Sequence, residues 1–318
     1  YRPWNALSLS LAQDGAINKL RSNLPDCPFP TRYTSLTAFN ARYRQGMVTA
    51  TGSLIYTNIT ERVKVGDAPA DFQRLAPSFT VSLQPWQEQL FFLRLMYKST
   101  FRTPTFNDLY YYRLGNRSLR PEKANEYNIG ITWSKPFVSF LNYFSVTIDG
   151  YYNDVTDKIV AFPTTYAWKM ANYGKVRATG IDATLAAATS LSKNITLVIS
   201  GGYTFQKAID LTDPTSKSYK DQLPYTPEHS GNVSAILEMP WVNVGYSIVG
   251  VSERYSMSQN IPENRIDGYM EHTVNLSKDF SLKRCKLRLQ AEIVNLTDTQ
   301  YDVIKYYAGT FVATDGDN

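Results

Sequence analysis

Cysteine is nearly missing from this 318-residue sequence. Cys27 and Cys285 are too few for a disulfide scaffold and stand in no metal-ligand spacing. Histidine is as scarce, and His229 and His272 leave little for general-base or Ser–His chemistry. No serine sits in a nucleophile-elbow setting, and glycine-rich phosphate loops are absent. Asp154, Asp157, Asp210 and Asp213 are scattered and lack the spacing of a calcium loop. On these grounds no catalytic residue, metal ligand or cofactor is expected. A net charge of +5, spread along the chain, gives weak ground for nucleic-acid binding. A signal peptide is not visible, and Tyr1 stands just before a strand-like segment, Trp4 to Ala12, so an upstream portion is expected. No run of 18 apolar residues exists, which excludes a transmembrane helix. It does not exclude a membrane barrel, whose strands hide their apolar character by alternation.

What the sequence has in excess is aromatic. Aromatics make up 14% of it, with 23 tyrosines, the residue of boundaries between wet and dry surroundings. Strand-like segments recur near residues 4–12, 31–45, 47–60, 74–85, 89–99, 123–135, 138–153, 172–190, 193–209, 226–239, 241–254, 266–278 and 284–297. Most run ten residues or more, whereas strands of soluble sheets average about 5–6 and a tilted bilayer crossing takes roughly 9–11. The connections alternate without exception between short ones (near 45–46, 85–87, 135–136, 191–192, 240 and 279–283) and long ones (13–30, 61–73, 100–122, 154–171, 210–225 and 255–265). Short periplasmic turns and long extracellular loops sort in this way in outer-membrane barrels.

The faces agree. Leu287, Leu289, Ala291 and Ile293 alternate with Lys286, Arg288, Gln290 and Glu292, and Tyr127, Ile129, Ile131 and Trp133 with Glu126, Asn128, Gly130 and Thr132. Successive side chains of a strand point to opposite faces, so one face is apolar and the other polar. Trp86, Trp133 and Trp241 flank short turns, while Trp168 and many tyrosines lie toward the long connections, as two aromatic belts require. The expected fold is an all-β, antiparallel transmembrane β-barrel.

Phe101-Arg102-Thr103-Pro104, Leu109-Tyr110, Gly115-Asn116 and Leu119-Arg120-Pro121-Glu122, followed by Glu126-Tyr127 and Gly130, resemble a hallmark of TonB-dependent receptors. Arg74 to Ser78, Lys175 to Asp182, Leu223 to His229, and Val294 to Asp298 with Tyr301 are similar to further stretches of that family, in order. The resemblance implies 22 strands, an N-terminal plug and a coupling box that engages the TonB–ExbB–ExbD complex. About thirteen strands fit here, so residues 1–318 are expected to be the C-terminal portion of such a barrel, without plug or box, in a Gram-negative outer membrane among lipid and lipopolysaccharide.

The resemblance also implies energy-dependent uptake of a scarce nutrient chelate, a cobalamin or a ferric siderophore, with no chemistry on the ligand. A smaller closed channel with passive transport, and an outer-membrane enzyme, are the rival readings. The ligand candidates are loop residues whose aromatic faces and cations suit a large anionic or aromatic chelate: Arg102, Phe106, Tyr110, Tyr111, Tyr112 and Arg113 from one long connection, Tyr166 and Trp168 from another. Arg94, Lys98 and Arg288 on the polar face are expected to be plug contacts or solvated wall residues.

Overall fold

The computed structural model describes residues 5–23, 27–86, 88–136, 141–163, 168–281 and 285–305, and leaves out the side chains of residues 162, 163, 168 and 173. Among the described residues thirteen strands form one antiparallel meander, each paired with its neighbours along the sheet. They are β1 (Leu7–Lys19), β2 (Thr31–Gln45), β3 (Val48–Arg62), β4 (Phe72–Leu83), β5 (Leu90–Arg102), β6 (Glu122–Pro136) and β7 (Leu141–Pro163). After them come β8 (Trp168–Ser192), β9 (Ile195–Asp210), β10 (His229–Glu238), β11 (Asn243–Val251), β14 (Tyr269–Ser281) and β15 (Lys286–Ile293). A separate two-stranded ribbon, β12 (Arg254–Tyr255) with β13 (Arg265–Ile266), lies within the connection that follows β11.

A meander sends alternate connections to opposite rims. The strand ends Gln45 and Val48, Leu83 and Leu90, Pro136 and Leu141, Ser192 and Ile195, Glu238 and Asn243, and Ser281 and Lys286 therefore share one rim, and Lys19 and Thr31, Arg62 and Phe72, Arg102 and Glu122, Asp210 and His229, and Val251 and Tyr269 share the other. The two-residue turn Gly46-Met47 uses Gly46 at φ +55°, a backbone region that costs glycine nothing. The sorting of short and long connections is thus as the sequence indicates, with two corrections. The first strand runs from Leu7 to Lys19 rather than from 4 to 12, because β2 offers partners as far as Thr31, which pairs Lys19. The stretch 154–171, expected as a loop, is mostly strand. β7 and β8 stay paired from Leu141↔Thr189 up to Pro163↔Trp168, which makes a hairpin that stands well beyond the other strands. Its upper part is held by packing, since Ile159 is buried against Leu109 and Leu119.

Cross-strand partners extend the alternation across the sheet. Leu11, Phe39 and Leu54 align in β1–β3, as do Leu95, Ile129, Gly150, Ile181 and Phe205 in β5–β9, and Val244, Leu276 and Ala291 in the last strands. Leu11 is 74% exposed, Ile129 53% and Leu289 55%, so this apolar face has no protein against it. Full burial of such a side chain is worth about 1.5–3 kcal/mol, and soluble monomers rarely expose apolar patches beyond a few hundred Å². The opposite face carries ion pairs: Arg94 Nη2 reaches Asp149 at 2.9 Å and Arg288 Nε reaches Asp279 at 2.6 Å. Near the short turns Trp86 packs on Phe91 and Trp133 on Phe144, with ring centroids 5.2 and 5.5 Å apart. Cys27, toward the long-connection rim, and Cys285, toward the short-turn rim, are both free thiols.

Candidate functional site

Two constructions stand on the polar face at the long-connection rim. The first is built from residues 103–121. Helix α1 (Phe106–Tyr110) starts at a capping box: Asp108 N–H donates to Thr105 Oγ1 at 3.1 Å and Thr105 N–H donates to Asp108 Oδ2 at 2.8 Å. The chain doubles back at Gly115, where a Cβ would come within 2.7 Å of the Leu109 and Tyr110 backbone, so no side chain fits. Leu109 and Leu119 bury with Ile159, and Tyr110 and Met170 pack around them.

Polar contacts fix this loop at both ends. Toward β2 and β3, Arg32 Nε donates to Glu61 Oε2 at 2.7 Å, and its Nη2 donates to the Pro104 carbonyl at 2.7 Å. Tyr110 donates its hydroxyl hydrogen to the other Glu61 oxygen, and the Arg32 guanidinium lies 4.9 Å from the Phe106 ring centre. Burial, then the hydrogen bond to Glu61, pushes the Tyr110 phenol well above its ordinary value. Toward the β7–β8 hairpin, Asn116 Nδ2 donates to the Met170 carbonyl at 3.1 Å, and Arg120 Nε donates to Asp157 Oδ1 at 2.9 Å.

The candidates therefore divide. Arg102 is a brace, bonded to Asp108, Glu122 and the Ile159 carbonyl. Phe106 and Tyr110 belong to the latch on Arg32 and Glu61. Tyr111 and Tyr112, 54% and 40% exposed, form the open tip, with Arg113 5.1 Å from the Tyr112 ring centre. Tyr166 and the side chain of Trp168 lie outside the described residues.

The second construction was not anticipated. Val155 of β7, Val176 and Ala178 of β8, and Ala208 of β9 are apolar residues on the otherwise polar face. Leu223 folds over them and forms a small buried cluster with Val176 and Ala208. Gln222, 5% exposed, holds that fold: its Oε1 accepts from Ala208 N–H at 2.9 Å, and its Nε2 donates to the carbonyls of Gln206 and Thr226. Residues 223–226 on one side and Ser256 to Gln259 on the other then enclose a cavity of about 670 Å³. Its walls are mainly apolar, Met257 among them, with the amides of Gln206, Gln259 and Asn264, the hydroxyl groups of Tyr225, Thr226, Ser256 and Ser258, and, among the described residues, one charged side chain, Lys158. Volumes of about 300–1,000 Å³ with few polar groups are typical of small-molecule sites. The signal that could have located it is the run Val176, Ala178 and Ala208, at strand positions where alternation calls for polar residues.

Among the described residues no three of His, Cys, Asp and Glu gather into a metal-binding group. Both histidines stand on the apolar face, each with Nδ1 2.7 Å from a tyrosine hydroxyl, Tyr203 for His229 and Tyr246 for His272.

Comparison with known proteins places this arrangement. The family model described as TonB dependent receptor-like, beta-barrel, matches residues 6–296. The vitamin B12 transporter BtuB of Vibrio vulnificus (strain YJ016) is 25% identical over 222 residues, 69% of this chain and 32% of that protein. The vitamin B12 transporter BtuB of Photobacterium profundum is 25% identical over 63% of this chain and 30% of its own length. Among solved structures, the copper transporter OprC superposes with a TM-score of 0.70 at 15% identity, over 94% of this chain and 49% of that one. The ferric citrate transporter FecA superposes with a TM-score of 0.69 at 14% identity, over 93% and 47%. The chain thus spans about a third of the length of these curated relatives and about half that of the solved structures.

Proposed function

Since the chain belongs to the TonB-dependent receptor-like β-barrel family, we propose that it is the barrel portion of an outer-membrane receptor that imports a scarce nutrient chelate. Its apolar face meets lipid, its polar face meets the lumen, and the long connections open to the outside. The ligand is a cobalamin or a ferric siderophore, and its chemistry is unchanged by passage. Work comes from the TonB–ExbB–ExbD complex, acting through a plug carried elsewhere in the protein. Residues 1–318 form one barrel domain in this reading.

The mouth cavity is the observation that carries the proposal. It sits on the lumen side of the outer rim, where incoming solute arrives, and its volume suits a small chelate or one lobe of a large one. Apolar walls bury the body of such a ligand, while the amides and Lys158 orient its polar periphery. The exposed Tyr111, Tyr112 and Arg113 add stacking and charge at the approach.

The test is made with the full-length protein that contains this chain, in a strain lacking its own cobalamin and siderophore receptors. Uptake of radiolabelled cyanocobalamin and of a panel of ferric siderophores is measured with and without a protonophore. Saturable uptake of one chelate that the protonophore abolishes supports the reading. Non-saturable, protonophore-insensitive passage would replace it with a passive channel.

A further inference from the structure

Between the tyrosine tier and the long-connection rim, β6–β9 exchange the polarity of their two faces. Tyr127 is followed toward the rim by Asn125 and Lys123, and Ile181 and Thr179 by Arg177 and Lys175. Phe205 is followed by Lys207. Exposed cations thus stand on the face that is apolar lower down. Lys123 and Lys175 flank Thr156 in adjacent strands, roughly 10 Å apart at 4.7–4.9 Å per strand. Arg177 holds Asp154 at 3.2 Å and lies 5.2 Å from the Tyr152 ring centre. Asp154 is the carboxylate of this group, and Lys123, Lys175 and Lys207 have no ion-pair partner among the described residues.

Directly below, Gly150 lacks the side chain that would fill the wall between Ile129 and Ile181. The result is an open apolar groove of about 810 Å³, bordered by Leu95, Phe205 and the tyrosines Tyr97, Tyr127 and Tyr152. A Cβ on Gly150 would meet only ordinary contact, 3.6 Å from Ile129 Cγ2, so the space is open rather than obstructed.

We propose that this outer face docks one phosphorylated, multi-acylated glycolipid of the outer leaflet, its phosphates on Lys123, Lys175, Arg177 and Lys207 and one acyl chain in the Gly150 groove. The proposal rests on the membrane orientation given above. Charge and geometry select the occupant. A protein partner would leave the groove pointing into acyl chains, whereas a lipid places apolar and anionic parts at these two heights in this order. Lysine suits the task, since its stem lies along apolar surface while the ammonium reaches the headgroup layer.

The test uses the full-length receptor, purified in detergent and titrated by native mass spectrometry with three probes: a doubly phosphorylated lipid A, its dephosphorylated form and phosphatidylglycerol. The triple variant Lys123→Gln/Lys175→Gln/Lys207→Gln is expected to bind the phosphorylated lipid A on the order of a hundredfold more weakly, at about fivefold per surface cation. Gly150→Leu fills the groove and is expected to weaken it as well. Heat-modifiability on gels, which reports a folded barrel, should be unchanged in both variants. Equal affinity of wild type and triple variant, or equal affinity for phosphatidylglycerol, overturns the proposal. Fractionation of the same cells separates the two layers of argument: receptor in the outer-membrane fraction without lysine-dependent lipid binding refutes the site alone, and receptor absent from that fraction refutes the orientation beneath it.

Discussion

Replacing Arg32 by alanine should release residues 103–121 from the wall of β2 and β3. In the folded chain Glu61 is 4% exposed at its side chain and takes one hydrogen bond from Arg32 and another from Tyr110. Removing the guanidinium leaves that carboxylate buried without its cation and frees the Pro104 carbonyl as well. Deleting one partner of a buried ion pair costs on the order of 3–5 kcal/mol. The strands are fixed independently by their ladders, so most of this cost falls on loop docking, and the opening equilibrium should rise by a factor on the order of 10²–10³. Hydrogen exchange of peptides within 105–116 should accelerate by about that factor, while peptides from the short-turn half of β3 keep their protection. Tyr110→Phe retains the Arg32–Glu61 pair and loses one charge-assisted hydrogen bond, on the order of 1.5–3 kcal/mol, so its acceleration should be smaller. Exchange in 105–116 that changes less than about threefold in Arg32→Ala would refute the latch.

The latch should also respond to base rather than acid. The neutral Tyr110 phenol is the donor and its ionisation is pushed upward, so its contribution is complete below the ordinary tyrosine value of about 10 and fades as pH climbs through the raised one; phenolate absorbance and exchange of 105–116, followed together, test this. Ala178→Phe projects into the mouth cavity and is expected to raise the KM of uptake about tenfold or more without changing outer-membrane insertion, a split read directly from transport kinetics. Ile131→Lys on the apolar face should cost about 2–4 kcal/mol in unfolding from vesicles, whereas Asn128→Lys on the polar face should cost little; equal costs would invert the assignment of faces.

How much of this was legible differs by element. The strands showed themselves because a two-residue period leaves a face-by-face record, as in Tyr127 to Trp133, and ladder pairing then carries that record from one strand to the next. The ends of strands left a weaker record. β1 runs on through Asp14-Gly15, a stretch with little alternation, because a partner strand was available. The β7–β8 hairpin reads as a loop from Asp154 onward, since its upper residues no longer alternate toward lipid but pack on Leu109 and Leu119. Arg102 and Tyr110 were singled out by their chemistry alone; that they also brace the loop depends on Glu122 and Glu61, 20 and 49 positions away, which no local pattern encodes. The mouth cavity needs two connections, 211–228 and 252–268, brought onto one wall, and only the fold does that.

One line in the sequence nevertheless carried both sites. At Ala178 the alternation of β8 reverses: below it Ile181 is apolar on one face and Asp182 polar on the other, while above it Arg177 and Lys175 occupy the first face and Val176 the second. β9 reverses at the same height, with Lys207 outward and Ala208 buried inward. Below that line the outer face must be apolar, because a cation at mid-bilayer costs about 2–4 kcal/mol, and the inner face can be wet. Above it the outer face stands in the headgroup layer, where cations are favoured, and the inner face is where the loops and a ligand need apolar surface. A single boundary between hydrocarbon and headgroup therefore explains why the lysines turn outward where Val176, Ala178 and Ala208 turn inward. It follows that Arg177→Leu and Ala178→Asp, adjacent in sequence, should fail differently: the first should leave cavity-dependent uptake intact and weaken glycolipid retention, and the second should do the reverse. If both variants lost the same activity, the boundary would not lie at residue 178.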